Sequence, residues 1–240
     1  MKVAVILPAA GLGTRMTKSQ PEKVSSMRKQ FLVLDGSPIL LHTIRKFSRS
    51  ELVSEIVVAL RGDDIAWVQD LLDKEHLEKP VRLVVGGDSR QSSVENALAT
   101  LDADTDLVAV HDAVRPFVDL SQIEQVIREA AEFGAAILGI VPVDTVKQVH
   151  RYVIRETIPR DKLVLAQTPQ VFRFSLLKEA YLRAADDHFA GTDESSLVER
   201  LERVEVRVVA GSDRNIKITK PGDLDLAKLF LDQEKAAAQG

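Results

Sequence analysis

The sequence predicts an α/β fold: a mostly parallel sheet with helices on both faces and a protruding β-arm. Three observations carry that prediction. Short unbroken apolar runs alternate with segments of helical spacing. Loops of small residues follow several of the runs, and one segment, 142–165, breaks the pattern altogether. The 240 residues read as one domain, 1–240, with 142–165 as the arm.

The elements follow in order. Val3 to Leu7 is wholly apolar, with β-branched residues at three of five positions, as in a strand buried on both faces. Pro8 cannot donate to a sheet ladder and ends it. Ala9, Ala10, Gly11, Leu12 and Gly13 then form a loop of little bulk, which lets backbone N–H groups approach an anion. Arg15 adds a fixed-charge fork suited to phosphate oxygens. The dinucleotide fingerprint fails because Met16 stands at its third glycine, and no GK[ST] closes a P-loop. By itself the loop is either a phosphate site or a plain strand-to-helix turn.

Thr17 to Arg28 is polar and predicts a flap between Arg15 and Lys29. Phe31 to Leu34 predicts a short strand, Asp35-Gly36 a turn, and Pro38 the first turn of a helix carrying Leu40, Leu41, Ile44 and Phe47. Strands are expected at Ile56–Leu60, Val81–Val85, Leu107–Val110 and Ala135–Val141. Helices are expected at Asp63–Lys74, around Val94–Leu101 and around Ile123–Ala130. Ligands of such sheets sit at the carboxyl ends of the strands. The loops 8–15, 86–93 and 111–116 fall there. Within 142–165, Val149 to Arg155 alternates as a hairpin would, without enough apolar residues for a core. Beyond it come helices at Leu176–Tyr181 and Ser195–Leu201, and a half-exposed edge strand over Val204–Val208. A last helix runs from Pro221 to about Lys235.

Composition excludes some classes. Hydrophobic residues at 45% and charged residues at 28% are ordinary for a globular protein. A net charge of −4 argues against a general nucleic-acid binder. The absence of cysteine removes disulfides and thiolate metal sites. No apolar run approaches the roughly 18 residues of a membrane span, and the apolar start is too short for a signal peptide. A cytoplasmic protein is expected.

Eight strings stand in order across residues 8 to 219: PAAGLGTRM, KQF, GGDSRQSSV, HDAVRPF, PVDTVK, QTPQVF, GTDESSLVE and NIKIT. Together they resemble the cytidylyltransferases that activate small polyol phosphates, above all the 2-C-methyl-D-erythritol 4-phosphate cytidylyltransferase family of the non-mevalonate isoprenoid pathway. The resemblance implies a Rossmann-like nucleotidyltransferase sheet, CTP and a polyol phosphate as substrates, and Mg²⁺ or another divalent cation held with CTP. It also implies a homodimer formed through the arm.

By resemblance Arg15, Lys29 and Lys217 are the catalytic cations. Pro8, Ala9, Ala10, Gly11, Gly13, Gly87, Asp88, Ser93 and Ala113 would hold the nucleotide. Asp112, Arg115, Thr145, Arg160, Thr168 and Asp213 would meet the polyol phosphate. Other readings stand beside these. Lys29 and Lys217 also read as solvated surface charge, and Asp88 with Ser93 as a turn and helix start. His111 reads as a structural hydrogen-bonder, and Asp193-Glu194 as a helix cap. Two features depart from the family: a longer spacing from Arg15 to Lys29, and Val114 where a small residue is common. A ribitol 5-phosphate cytidylyltransferase and a CTP-binding regulatory module without turnover are the rival functions.

Overall fold

The computed structural model describes residues 1–11 and 28–239. Seven strands form the main sheet in the order β11-β7-β10-β6-β1-β4-β5. They are β1 (Val3–Pro8), β4 (Glu55–Leu60), β5 (Val81–Val85), β6 (Leu107–Val110), β7 (Ala135–Ile140), β10 (Leu165–Arg173) and β11 (Arg207–Ala210). Strand β10 runs antiparallel to both neighbours, and every other pairing in this sheet is parallel. The sheet is therefore mixed and mostly parallel.

Both faces are covered, which is why its strands read as apolar runs rather than alternating ones. Val3, Val5 and Leu7 of β1 pack on one side with Ile44 and Phe47 of α1 (Ile39–Ser48), Val68 of α2 (Gly62–Leu72), and Ile123 and Val126 of α4 (Leu120–Phe133). Ile6 packs on the other with Val94 and Ala97 of α3 (Arg90–Leu98), and Leu177 and Tyr181 of α5 (Phe174–Asp186). Each such fully buried aliphatic or aromatic side chain stabilises the fold by roughly 1.5–3 kcal/mol. The helix α7 (Pro221–Gln239) closes a smaller cluster through Phe230 against Phe117, with ring centroids 5.5 Å apart.

Several sequence expectations change. Residues Lys29–Phe31 form a 3₁₀ turn, and only Val33–Leu34 (β2) is extended, pairing with Ser37–Pro38 (β3) in a separate ribbon. Pro38 caps α1 instead of opening it. The edge ladder starts at Arg207, not Val204; Val204 and Val206 pack beneath the sheet. Residues 167–170, where the apolar pattern offers no strand, lie inside β10. The expected flap lies outside the described residues except for Arg28, whose guanidinium pairs with Asp64.

Within 142–165, β8 (Val146–His150) and β9 (Val153–Ile158) pair only with each other among the described residues. Arg151 and Tyr152 join them with φ of +47° and +64°, the left-handed geometry of a tight hairpin turn. Tyr152, Val153, Ile154 and Val143 are exposed.

Candidate active site

The sheet reverses its winding between β1 and β6, and a crevice opens there at the carboxyl ends. Three loops leave the sheet side by side, because each first amide beyond its strand still bonds a neighbour. The Ala9 amide donates to the Ala59 carbonyl (2.8 Å), Gly86 to Leu60 (2.7 Å) and His111 to Ile6 (2.9 Å). At Gly86 a side chain would not fit, since a Cβ would stand 2.7 Å from the Ala10 Cβ. The result is a cleft of about 320 Å³.

Pro8, Ala9, Ala10 and Gly11 form one wall of the cleft, Gly87, Asp88 and Ser93 a second, and Asp112 with Ala113 the floor. Lys29, from the 3₁₀ turn, and Lys217 also line it. Lys29 is only 7% exposed, so it is not a solvated surface lysine. Gln30, which the sequence reading did not single out, donates its amide to the Ala9 carbonyl (2.6 Å) and ties that loop to Lys29. Ser93 Oγ donates to the Ser89 carbonyl (2.7 Å) and accepts from the Gly87 amide (3.1 Å), so it shapes the second wall. Ser89 caps α3 by accepting from the Ser92 amide (2.9 Å).

Asp112 is the electrostatic centre. Lys217 Nζ lies 2.9 Å from its Oδ2 and Arg115 Nε 3.2 Å, while Arg90 Nε is 3.3 Å from Oδ1. Burial by itself would raise its pKa, but the charges of Arg90, Lys217 and Arg115 outweigh burial and hold the carboxyl well below the ordinary range. The Asp112 amide donates to Thr168 Oγ1 (3.1 Å). Arg115 Nη1 donates to the Asn215 carbonyl (2.7 Å), and the Asn215 side chain donates to the Thr168 carbonyl (2.9 Å). Arg115 and Thr168 thus stand behind the cleft wall and brace it. His111 Nε2–H donates to the Arg115 carbonyl (3.0 Å), and burial pushes its pKa down to about 4, so it is a neutral structural donor.

Thr145, Arg160 and Asp213 are exposed and do not line the cleft. The Arg160 guanidinium donates to the Val143 carbonyl within the hairpin segment. Gly13 and Arg15 lie outside the described residues. Asp193 caps α6 (Glu194–Glu199), accepting from the Ser196 amide at 3.1 Å. Glu194, by contrast, turns inward to Arg90 (2.8 Å). Arg90, Gln30 and Glu194 all stand in the quoted strings, but only Glu194 received a reading there, as part of a helix cap.

The cleft can take a polyphosphate beside a loop of small residues, with two lysines and a pinned carboxylate among its lining. That suits displacement at a phosphorus atom with departure of an anion, the chemistry of a nucleotidyltransferase. Comparison with known proteins narrows this class. The family model described as "IspD: 2-C-methyl-D-erythritol 4-phosphate cytidylyltransferase" matches residues 3–233, and the chain belongs to that family. A relative of that name from Solibacter usitatus (strain Ellin6076) is 61% identical, covering 98% of each chain. One from Acidobacterium capsulatum is 49% identical over 98% of this chain and 100% of its own. Among solved structures, 4-diphosphocytidyl-2C-methyl-D-erythritol synthase from Anaerococcus prevotii superposes with a TM-score of 0.83 at 30% identity, covering 96% of each chain. The Francisella tularensis 2-C-methyl-D-erythritol 4-phosphate cytidylyltransferase gives 0.78 at 32% identity, covering 95% of this chain and 99% of its own.

Proposed function

We infer that the chain transfers the cytidylyl group of CTP to 2-C-methyl-D-erythritol 4-phosphate, giving 4-diphosphocytidyl-2-C-methyl-D-erythritol and pyrophosphate. The observation that carries this reading is the meeting of the Pro8–Gly11 loop, Lys29 and Lys217 with Asp112 in one cleft. A phosphate oxygen of the polyol attacks the α-phosphorus, a new P–O bond forms, and the bond to the β-phosphate bridge breaks. The nucleophile is already an anion, so no general base is required. Catalysis is then positioning plus cationic stabilisation of charge on the nonbridging and leaving oxygens. We assign the second part to Lys29 and Lys217, joined by Arg15. Ala9, Ala10, Gly87, Asp88 and Ser93 read the cytosine, with Pro8 and Ala113 at the ribose. Asp112 meets the polyol phosphate, with Arg115 and Thr168 holding that aspartate in place.

A divalent cation such as Mg²⁺ belongs to this reading as a companion of CTP, neutralising phosphate charge when bound. Such a cation is kept mainly by phosphate oxygens and water, with few dedicated protein ligands. No helix of the described residues is long and apolar enough to cross a membrane, and we place the reaction in the cytoplasm.

We further assign 142–165 as an arm of a single-domain chain, 1–240, that pairs two subunits and brings Thr145 and Arg160 to the partner's cleft. Its support is the exposed apolar set Val143, Tyr152, Val153 and Ile154 on a hairpin that pairs with no further strand among the described residues. Pyrophosphate release with CTP and Mg²⁺ tests the reaction. Methylerythritol phosphate should be turned over in clear preference to ribitol 5-phosphate, and UTP should be poor. Equal or better use of ribitol 5-phosphate would overturn the substrate assignment.

A further inference from the structure

We propose that Glu194 is a positioning residue for the polyol-phosphate end of the cleft, acting through Arg90 on the Asp112 carboxylate. This rests on the reading of Asp112 as a substrate contact. Glu194 is almost wholly buried, at 1% side-chain exposure, with Asp112 at 8% and Arg90 at 29% between them. Both Glu194 oxygens accept from Arg90 Nη1, at 2.8 and 2.9 Å, and the Tyr181 hydroxyl donates to Oε1 at 3.1 Å. The Arg90 Nε faces the other way, 3.3 Å from Asp112 Oδ1.

A guanidinium carries its donors in one rigid plane, so the carboxylate that takes Nη1 decides where Nε points. Glu194 is itself held firmly. Gln170 Nε2 on the central strand β10 donates to Asp193 Oδ2 (2.7 Å), and the Ser195 amide donates to Gln170 Oε1 (3.0 Å). The two residues flanking Glu194 are thereby fixed to the sheet.

The consequence falls on Asp112. With Nη1 engaged inside, Arg90 reaches Asp112 by one long bond and leaves Oδ2 to Lys217 and Arg115. Without the Glu194 charge, Arg90 would have one carboxylate in reach and would pair with it through two donors, the preferred arrangement of such pairs. Asp112 would turn toward Arg90, away from Lys217 and from the substrate.

Glu194→Gln tests this, since it keeps the volume and the Tyr181 contact but removes the charge. KM for methylerythritol phosphate should rise about ten-fold or more, the scale of one charged hydrogen bond, with KM for CTP within two-fold of the parent. Arg90→Gln should give the same split, and the double variant should be no worse than Arg90→Gln alone, because the two residues act in series. A crystal structure of Glu194→Gln should show Arg90 paired through two donors with Asp112. A merely structural role would lower kcat through the folded fraction and leave both KM values alone. That result, an equal rise in both KM values, additive losses, or an unmoved Arg90 would overturn the proposal. If Glu194→Gln does not fold, Arg90→Lys carries the same test, since a point charge cannot hold both carboxylates; an unshifted KM there also sinks it. An inactive parent would instead count against the proposed reaction, and the position of Arg90 in the variant would still decide the coupling.

Discussion

Replacing Asp112 by Asn should destabilise the protein by about 3–5 kcal/mol, the range for a buried ion pair that loses one partner. The magnitude follows from the geometry. Asp112 is 8% exposed and accepts from three cations at 2.9, 3.2 and 3.3 Å. Arg90 would keep Glu194 (2.8 Å), and Arg115 would keep the Asn215 carbonyl (2.7 Å), but neither Arg115 nor Lys217 would keep a carboxylate. For a chain of this size each kcal/mol moves Tm by roughly 2–4 °C, so a fall on the order of 10 °C is expected. Urea unfolding at pH 7 measures the loss, with an unchanged m-value showing that the variant unfolds in the same way. The pH dependence supplies a second check. The folded pKa of Asp112 is depressed, so its stabilisation is present above the unfolded value near ~3.9 and is lost as pH falls through the folded one. The gap between parent and variant should therefore be full at pH 7 and shrink in strong acid. A loss under about 1 kcal/mol at pH 7, or a gap that does not respond to acid, would refute the central place given to this carboxylate.

Lys217→Ala should lower kcat by roughly 10²-fold or more while leaving the urea midpoint near the parent's, since its side chain is 35% exposed; a parent-like rate would remove it from the catalytic set. Stability should fall as pH drops from 6.5 toward about 4, because the unfolded chain protonates His111 before the folded one does. The effect amounts to roughly 3 kcal/mol over that span, and His111→Gln should flatten the slope of urea midpoint against pH. Lys29→Ala and Arg160→Ala, each nearly inactive alone, should recover about a quarter of parent activity when refolded together as an equimolar mixture. A mixture that stays inactive with mixed dimers present would show that Arg160 does not act across subunits.

Much of the sheet is legible because burial on both faces writes itself as apolar runs: Val3–Leu7 and Leu107–Val110 need no context to be read as strands. Strand β10 is not. Gln167, Thr168, Pro169 and Gln170 in its middle break any apolar run, yet all but the proline have side chains whose partners exist only in the fold. Gln167 donates to the Ser212 carbonyl (2.9 Å), Thr168 accepts from the Asp112 amide (3.1 Å), and Gln170 binds Asp193 (2.7 Å). Polar residues tolerate burial when so paired, and a sequence pattern gives no sign of the pairing. The Arg90–Glu194 contact is hidden for the same reason, its partners standing 104 residues apart.

The candidate site shows the same division. The strings are visible one by one, but what joins them is one carboxylate that three of them reach: Arg90 from GGDSRQSSV, Arg115 from HDAVRPF itself, and Lys217 from NIKIT. These three cations face two carboxylates, Asp112 and Glu194, so the cluster keeps one unit of positive charge. Such a field favours a polyanionic substrate before any specific contact is made. The three cations are not equivalent. Arg90 is also held by Glu194 and Arg115 by the Asn215 carbonyl, whereas Lys217 is paired with Asp112 alone among the described residues and is the most exposed of the three. A phosphate entering the cleft therefore meets Arg90, fixed in the lining, and Lys217, which a small turn of a flexible stem can bring to it, with Arg115 held behind them.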